Sequence, residues 1–232
     1  MKQVSSDARS RRGFLQLSLA GSAVGLLTNI LDIATPSVAV AQSTLSPDAA
    51  LAELIDGNKR FTSGRFTRND QDVAILKQKT VDKQEPFAAV LSCADSRVPV
   101  ELIFDQSIGH IFVARVAGNI VTSEIMGSLE YGAAVLGTKV ILVMGHSGCG
   151  AVKATIQGKE VPGQISTLFP HIQPAVDQAG QSLEAATKTN AKLQATLLRE
   201  SSTVIAGLVK EGRVKVVPGY YDLATGAVDI VT

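Results

Sequence analysis

Two short clusters of cysteine, aspartate, arginine and histidine carry residue types that could do metal chemistry. The first is Cys-Ala-Asp-Ser-Arg at residues 93–97, and the second is His-Ser-Gly-Cys-Gly at residues 146–150. Two thiolates, one imidazole and one carboxylate suit Zn²⁺, which binds such donors in a tetrahedron. The thiolates disfavour Mg²⁺ and Ca²⁺, because those ions prefer oxygen ligands. The candidate ligands are Cys93, Asp95, His146 and Cys149.

The two cysteines also admit other interpretations. Cys93 and Cys149 are the only cysteines of the chain, so it can form at most one disulfide and is not a disulfide-rich scaffold. Two cysteines can form a disulfide in an exported protein, because exported proteins meet an oxidising environment. A free cysteine is often only a small core residue. Either cluster alone is weak evidence. Together, at the ends of two predicted strands, they favour a metal site.

Three continuous apolar runs predict strands buried on both faces, at residues 87–92, 111–116 and 139–144. Between the second and third runs, apolar residues at helical spacing predict a helix from Ser123 to Leu136. A strand, a helix and another strand indicate a parallel sheet. Ligands bind outside the carboxyl ends of the strands of such sheets. The first and third runs end at the two clusters, so the sheet is expected to bring them together.

The remaining segments complete a single α/β domain from about residue 46. Ser46-Pro47-Asp48 is typical of a helix start, and that helix is expected to run to about Thr62. After Gly150 the pattern is mostly helical, with residues 183–209 as its longest stretch. Residues 214–217 and 227–230 predict a terminal, hairpin-like pair of strands.

Composition excludes several classes of protein. The 232 residues include 22 Lys and Arg against 21 Asp and Glu, a net charge of +1, which argues against a generic basic nucleic-acid surface. With 45% hydrophobic and 19% charged residues, the chain is too apolar for disorder. It has no Trp and only 4% aromatic residues, so stacking platforms for bases or sugars are not expected.

The N-terminal residues have the three parts of a secretory signal. Arg11 and Arg12 end a basic stretch, an apolar run follows from Phe14 to Ile33, and Ser-Val-Ala-Val-Ala at 37–41 has small residues where a signal peptidase cleaves. The pattern resembles a twin-arginine signal. We expect residues 1–41 to be this signal, residues 42–232 to be the catalytic domain, and the location to be periplasmic or otherwise extracytoplasmic. The alternative is a retained membrane anchor, which the Gly and Ser residues of the run disfavour.

The two clusters closely resemble the zinc motifs of the β-class carbonic anhydrases. The resemblance extends to residues 112–119, 128–132 and 221–223, and covers about residues 48–230. It implies a mainly parallel central sheet flanked by helices, with one Zn²⁺ per chain. Cys93, His146 and Cys149 would be the permanent ligands. Asp95 would either bind zinc as the fourth ligand or pair with Arg97.

The resemblance also implies an activity, the reversible hydration of carbon dioxide to bicarbonate and a proton by a zinc-activated hydroxide. Asp95 and Arg97 would be the catalytic pair, with the carboxylate orienting the hydroxide. Gln106 would hydrogen-bond the substrate, and the N–H groups of Gly148 and Gly150 would help to bind bicarbonate. Family members form homodimers or dimers of dimers, and neither nucleic acid nor a membrane is an expected partner.

Two other functions stay open at this stage. One is hydrolysis of a linear analogue such as carbonyl sulfide or carbon disulfide on the same fold. The other is a non-catalytic zinc or bicarbonate-binding protein, which Asp95 and Arg97 disfavour because structural zinc does not need that pair. The chain also departs from some bacterial relatives, whose regulatory bicarbonate pocket contains a Trp. Without Trp, that pocket is not present here in the same form.

Overall fold

The computed structural model describes residues 43–67, 74, 78 and 80–232, so the predicted signal at residues 1–41 lies outside the described residues. The strands are β1 (Ala88–Ser92), β2 (Ile111–Arg115), β3 (Val140–His146), β4 (Lys215–Tyr221) and β5 (Val228–Ile230). The helices that pack around them are α1 (Pro47–Thr62), α2 (Val100–Ile103), α3 (Ser123–Glu130), α4 (Gly150–Gln157), α5 (Phe169–Ala179), α6 (Leu183–Ser201) and α7 (Thr203–Lys210).

The strands form one sheet in the order β2-β1-β3-β4-β5. The first four strands are parallel, and β5 is antiparallel to β4. The α/β fold with a mainly parallel sheet, the three strands and the terminal antiparallel pair are therefore confirmed. The predicted burial on both faces holds for β1 and β3 but is wrong for β2, which lies at the sheet edge and is only partly buried. β3 is buried along its whole length, as its continuous apolar sequence predicts.

The connection from β2 to β3 crosses over β1, which lies between them in the sheet. The single helix predicted for this connection is divided into α3 and a π-helical turn at Tyr131–Val135. Within that turn Gly132 faces the ring of Phe112, and a Cβ at this position would lie 3.1 Å from Phe112 Cδ1. The absence of a side chain therefore allows the turn to pack closely against β2.

Helices cover both faces of the sheet, because alternate residues of a strand point to opposite faces. One core cluster joins α1 and α2 to the strands through Leu54, Ile103, Val90 and Leu142. The second core cluster joins α3, α6 and α7 to the opposite face, where Leu91 and Val143 are buried. A third cluster contains Cys93 and Cys149 together with apolar residues of α4 and α5.

The long helical stretch predicted at residues 183–209 is interrupted at Ser202. This residue has extended backbone angles, and its hydroxyl caps α7 by accepting a hydrogen bond from Ile205 N at 3.0 Å. The same hydroxyl donates to Glu130 Oε1 at 2.6 Å. The hydroxyl thus favours a new helix start over continuation of α6. In the part of the chain that the structure describes, no helix combines the length and apolar character needed to cross a membrane.

Candidate metal centre

The carboxyl edge of the sheet brings the two sequence clusters together. Cys93 directly follows β1, His146 is the last residue of β3, and Cys149 is the N-cap residue of α4. β1 and β3 are neighbouring parallel strands with Ser92 opposite Met144, so both clusters leave the sheet at the same end. The predicted meeting of Cys93, His146 and Cys149 is therefore confirmed.

The three side chains form a compact, buried donor set. Their ligand atoms all lie within 4.8 Å of one another, and Cys93, His146 and Cys149 are 4%, 0% and 0% exposed. In a tetrahedral zinc site with zinc–sulfur bonds of about 2.3 Å, the two sulfur atoms would lie about 3.8 Å apart. The spacing of the donors is therefore compatible with a zinc ion.

The imidazole of His146 is oriented to bind a metal through Nε2. Its Nδ1 lies 2.9 Å from the carbonyl oxygen of Ser147, which can only accept, so Nδ1 carries the hydrogen. Nε2 then presents a lone pair. This atom is buried, and it has no hydrogen-bond partner among the residues described. A buried acceptor of this kind, held by a carbonyl on its other ring nitrogen, is the usual arrangement of a zinc-binding histidine.

The two thiols have different tendencies to ionise. A hydrogen bond from the Cys149 thiol lowers the pKa of Cys93, the Gly118 N–H adds to this effect, and burial opposes it. The hydrogen bond to Cys93, together with burial, raises the pKa of Cys149. The first proton therefore leaves Cys93. A dication at this position would favour both thiolates, which are the metal-binding forms of cysteine.

Asp95 is paired with Arg97 beside the donor set. Arg97 Nε and Nη2 donate to Asp95 Oδ1 and Oδ2 at 3.0 and 2.8 Å, and the Arg97 N–H donates to Oδ1 at 2.9 Å. The Arg97 side-chain bonds hold the pKa of Asp95 well below its ordinary value, so the carboxylate is ionised. Asp95 Oδ2 lies 3.8 Å from His146 Nε2. Of the two arrangements expected for Asp95, the structure shows the one paired with Arg97.

Two sets of hydrogen bonds at the site that involve backbone groups had no clear signal in the sequence. Arg115, at the end of β2, donates from Nε to the Cys93 carbonyl at 3.0 Å and from Nη2 to the Asp95 carbonyl at 2.6 Å. The N–H of Gly118 donates to Cys93 Sγ at 3.3 Å. An arginine at the end of an apolar strand could have suggested the first contact, but its target depends on Arg115 lying opposite Ser92 in the sheet.

The three predicted substrate-binding residues lie in different surroundings. Gly148 is exposed and has a φ of 67°, which an L-residue adopts only with strain. Gly150 is exposed at the first position of α4. The Gln106 amide donates to Glu53 Oε1 at 3.0 Å, and its oxygen lies 3.3 Å from His110 Nδ1. The hydrogen bonds of Gln106 thus run to α1 and His110, and its role with substrate stays a prediction.

Fold and site together define a class of protein, an α/β protein with a Cys₂His metal centre at the carboxyl edge of a parallel sheet. Three protein donors with an ionised carboxylate held beside them are typical of a catalytic zinc centre, where the fourth position is open. A structural zinc ion is instead usually closed off by four protein ligands.

Comparisons with known proteins agree with this class. A family model described as carbonic anhydrase matches residues 88–228. A carbonic anhydrase of Mycolicibacterium smegmatis is 34% identical over 193 residues, which are 80% of this chain and 93% of that protein. Carbonic anhydrase 2 of Mycobacterium tuberculosis is 38% identical over 135 residues, which are 56% of this chain and 65% of that protein.

A solved structure of the Coccomyxa β-carbonic anhydrase has a TM-score of 0.60 and 25% identity, and covers 78% of this chain and 86% of its own. The chain belongs to the carbonic anhydrase family, in its β class.

Proposed function

We propose that the protein catalyses the reversible hydration of carbon dioxide to bicarbonate and a proton, with one zinc ion per chain. The single observation that carries the proposal is the position of the Asp95–Arg97 pair beside the Cys93–His146–Cys149 donor set. Zinc bound by these three residues would supply Lewis-acid activation of water at neutral pH.

The chain's own residues supply orientation and charge. The Arg97 guanidinium keeps Asp95 ionised and fixes the plane of its carboxylate, so that an oxygen at the open position would meet a hydrogen-bond acceptor. The Asp95 carboxylate can only accept hydrogen bonds. It therefore favours water at this position, because water can donate a hydrogen and carbon dioxide cannot. Asp95 and Arg97 are therefore the proposed catalytic pair. The backbone N–H groups of Gly148, which precedes the N-cap residue of α4, and of Gly150, the first residue of α4, are the proposed donors to bicarbonate.

A stopped-flow assay with a pH indicator on the zinc-loaded protein tests the function. We expect faster carbon dioxide hydration than in buffer between about pH 7 and 9. An equal rate with and without the protein would refute the proposal. Parallel assays with carbonyl sulfide and carbon disulfide test the other substrates. The names of the relatives favour carbon dioxide, so we expect little turnover of either analogue.

Gln106 is proposed as a substrate-binding residue on the strength of the resemblance alone. Its side chain is buried, and Glu53 and His110 fix the amide in one orientation. If Gln106 binds substrate, Gln106→Ala should raise KM more than it lowers kcat. A KM equal to that of the unaltered enzyme would remove Gln106 from the site.

We further propose that the protein assembles as a homodimer or a dimer of such dimers. β2 is an edge strand, and Ile111, Phe112 and Val113 on it are only partly buried. Tyr131 is 47% exposed, with its ring centroid 6.4 Å from that of Phe112. An apolar sheet edge of this kind is normally covered in a native protein. Analytical ultracentrifugation should give two or four times the mass of one chain, and a monomer at micromolar concentration would contradict the proposal.

We also propose export by the twin-arginine route, with residues 1–41 as the signal and 42–232 as the catalytic domain. The support is the sequence pattern of Arg11 and Arg12, the apolar run and the small residues before position 42. Replacement of both arginines by Lys should retain the protein in the cytoplasmic fraction. Unchanged fractionation of that variant would contradict this route.

A further inference from the structure

We propose that Asn190, on α6, is a positioning residue of the metal centre, because it holds Gly118 where the Gly118 N–H donates to the sulfur of Cys93. The inference rests on the metal site of the proposed function and assigns a role to a residue that does not touch the metal ligands.

The turn at Ala117–Asn119 has a demanding geometry. Gly118 has a φ of 78°, in the left-handed region that favours glycine. A Cβ at this position would lie 2.7 Å from Ile172 Cδ1 and 3.3 Å from Ala151 Cβ. Gly118 therefore sits between α5 and the start of α4 without room for a side chain. That close fit leaves its N–H 3.3 Å from Cys93 Sγ.

Asn190 anchors this turn from the other side. Its side chain is 0% exposed, and Nδ2 donates to the Gly118 carbonyl at 2.8 Å. Its Oδ1 accepts from Gln194 Nε2 at 3.3 Å. Gln194 lies one helical turn further along α6, and its Oε1 accepts from Val121 N at 2.8 Å. Two side chains of one helix face thus hold both ends of the segment from 118 to 121.

The two amides have a structural role, because a buried carbonyl or N–H without a hydrogen-bond partner destabilises the fold. The hydrogen bond from the Gly118 N–H to the Cys93 sulfur gives Asn190 a second role. An N–H that donates to a thiolate withdraws charge from the sulfur and fixes its direction. Asn190 therefore sets both the geometry and the donor strength of Cys93. Residues that orient metal ligands from outside typically change metal affinity or activity by about 10- to 100-fold when replaced.

The test is Asn190→Leu in the full-length protein, since Leu has a similar size and cannot donate to Gly118. Zinc affinity is measured by competition with a chelator, and the cobalt-substituted protein reports the thiolate-to-metal charge-transfer band. We expect zinc binding about 10-fold weaker, because the Cys93 sulfur is no longer held in position for the metal. We also expect the band at longer wavelength, because the sulfur becomes more electron-rich.

Asn58→Leu is the matched control. Asn58 is 5% exposed, donates to the carbonyls of Ile103 and Gly226 at 3.1 and 2.9 Å, and accepts from Val228 N. Its loss should lower stability and leave the zinc affinity and the cobalt band unchanged. If Asn190→Leu does not fold, Asn190→Ser carries the same test, because its hydroxyl stops short of the Gly118 carbonyl.

Wild-type zinc affinity and an unshifted band in the Asn190 variant would overturn the inference. An equal shift in the Asn58 variant would do so as well, because the effect would then follow from lost stability alone. Both readouts are taken without carbon dioxide. An inactive wild-type protein that binds zinc would therefore refute the proposed function and leave this inference standing.

Discussion

Arg97 holds both carboxylate oxygens of Asp95, with Nε 3.0 Å from Oδ1 and Nη2 2.8 Å from Oδ2. The pair is local in sequence, yet its Oδ2 lies 3.8 Å from Nε2 of His146, which belongs to another strand. A charge-assisted pair with two parallel bonds has a defined orientation. Arg97 thereby determines which way the Asp95 carboxylate faces at the metal centre.

Replacing either member of this pair should separate catalysis from metal binding. Asp95→Asn and Arg97→Ala are each expected to keep most of the zinc and to lower kcat/KM by about 100-fold or more, the range of a lost proton-accepting group. Metal analysis and stopped-flow hydration measure the two effects. The control is Arg213→Ala, which breaks another arginine–acid pair two residues apart, with Glu211 at 3.1 Å. Full activity in either Asp95→Asn or Arg97→Ala would remove that residue from catalysis.

Cys149→Ser should abolish zinc binding, because a serine hydroxyl is a much poorer donor to zinc than a thiolate. Thr155→Ala on the same helix removes a buried hydroxyl that donates to Ala151 O at 2.9 Å. This control should keep one zinc per chain. Mass spectrometry under native conditions counts the bound metal. A Cys149→Ser protein with stoichiometric, chelator-resistant zinc would show that Cys149 is not a ligand.

Gly118→Ala should be far more disruptive than Gly158→Ala. Both glycines have positive φ, 78° and 57°, so either alanine costs about 1–2 kcal/mol in backbone strain. At Gly158 nothing lies within 4 Å of the added Cβ, whereas at Gly118 the added atom meets Ile172 at 2.7 Å. Overpacking in Gly118→Ala lowers the free energy of unfolding by about 1–3 kcal/mol more, the usual cost of an added methyl group in a filled space. Urea unfolding of both variants measures the difference, and equal losses of stability would contradict this account of the turn.

Asp105→Asn should lower stability in a pH-dependent way. Burial by itself would raise the pKa of Asp105, but hydrogen bonds from Arg60 and Thr67 bring the pKa below its ordinary value. The folded state thus favours the carboxylate. The contribution of Asp105 to the free energy of unfolding is therefore complete above the unfolded pKa of about 4, and it declines as the pH falls toward the folded pKa. Asn tolerates the positive φ of 46° at this position, so the substitution removes the charge and keeps the backbone.

Denaturant unfolding near pH 7 and near pH 3.5 checks this expectation. Asp105→Asn should lower the free energy of unfolding by about 2 kcal/mol at pH 7, the value of hydrogen bonds to a charged group, and by less at pH 3.5. Asp56→Asn is the control, because Asp56 pairs with Lys59 at 2.8 Å but is 58% exposed. The effect of Asp56→Asn on stability should be small at either pH, because an exposed ion pair contributes little. If the free energies of unfolding of wild type and Asp105→Asn differ by the same amount at both pH values, the lowered pKa of Asp105 is contradicted.

Local patterns in the sequence predicted the strands, α1 and the metal-binding residues. Each buried strand is a short apolar run, and each cluster directly follows such a run, so periodicity and the rule for parallel sheets were enough to bring Cys93, His146 and Cys149 together. The break at Ser202 was not predicted. Both sides of it have helical periodicity, and the hydroxyl that ends the pattern is held by Glu130, 72 residues away.

The amino-acid sequence by itself predicted Cys93, His146 and Cys149 as donors, the kind of metal they suit and the edge of the sheet where the site lies, and it left the position of Asp95 open. These properties follow from side-chain chemistry and from strands a few residues long. Only the tertiary structure decided how the donors are supported. The Gly118 N–H reaches Cys93 across 25 residues, and Asn190 reaches Gly118 across 72. Contacts at such separations depend on strand order and helix packing, which no local pattern of residues specifies.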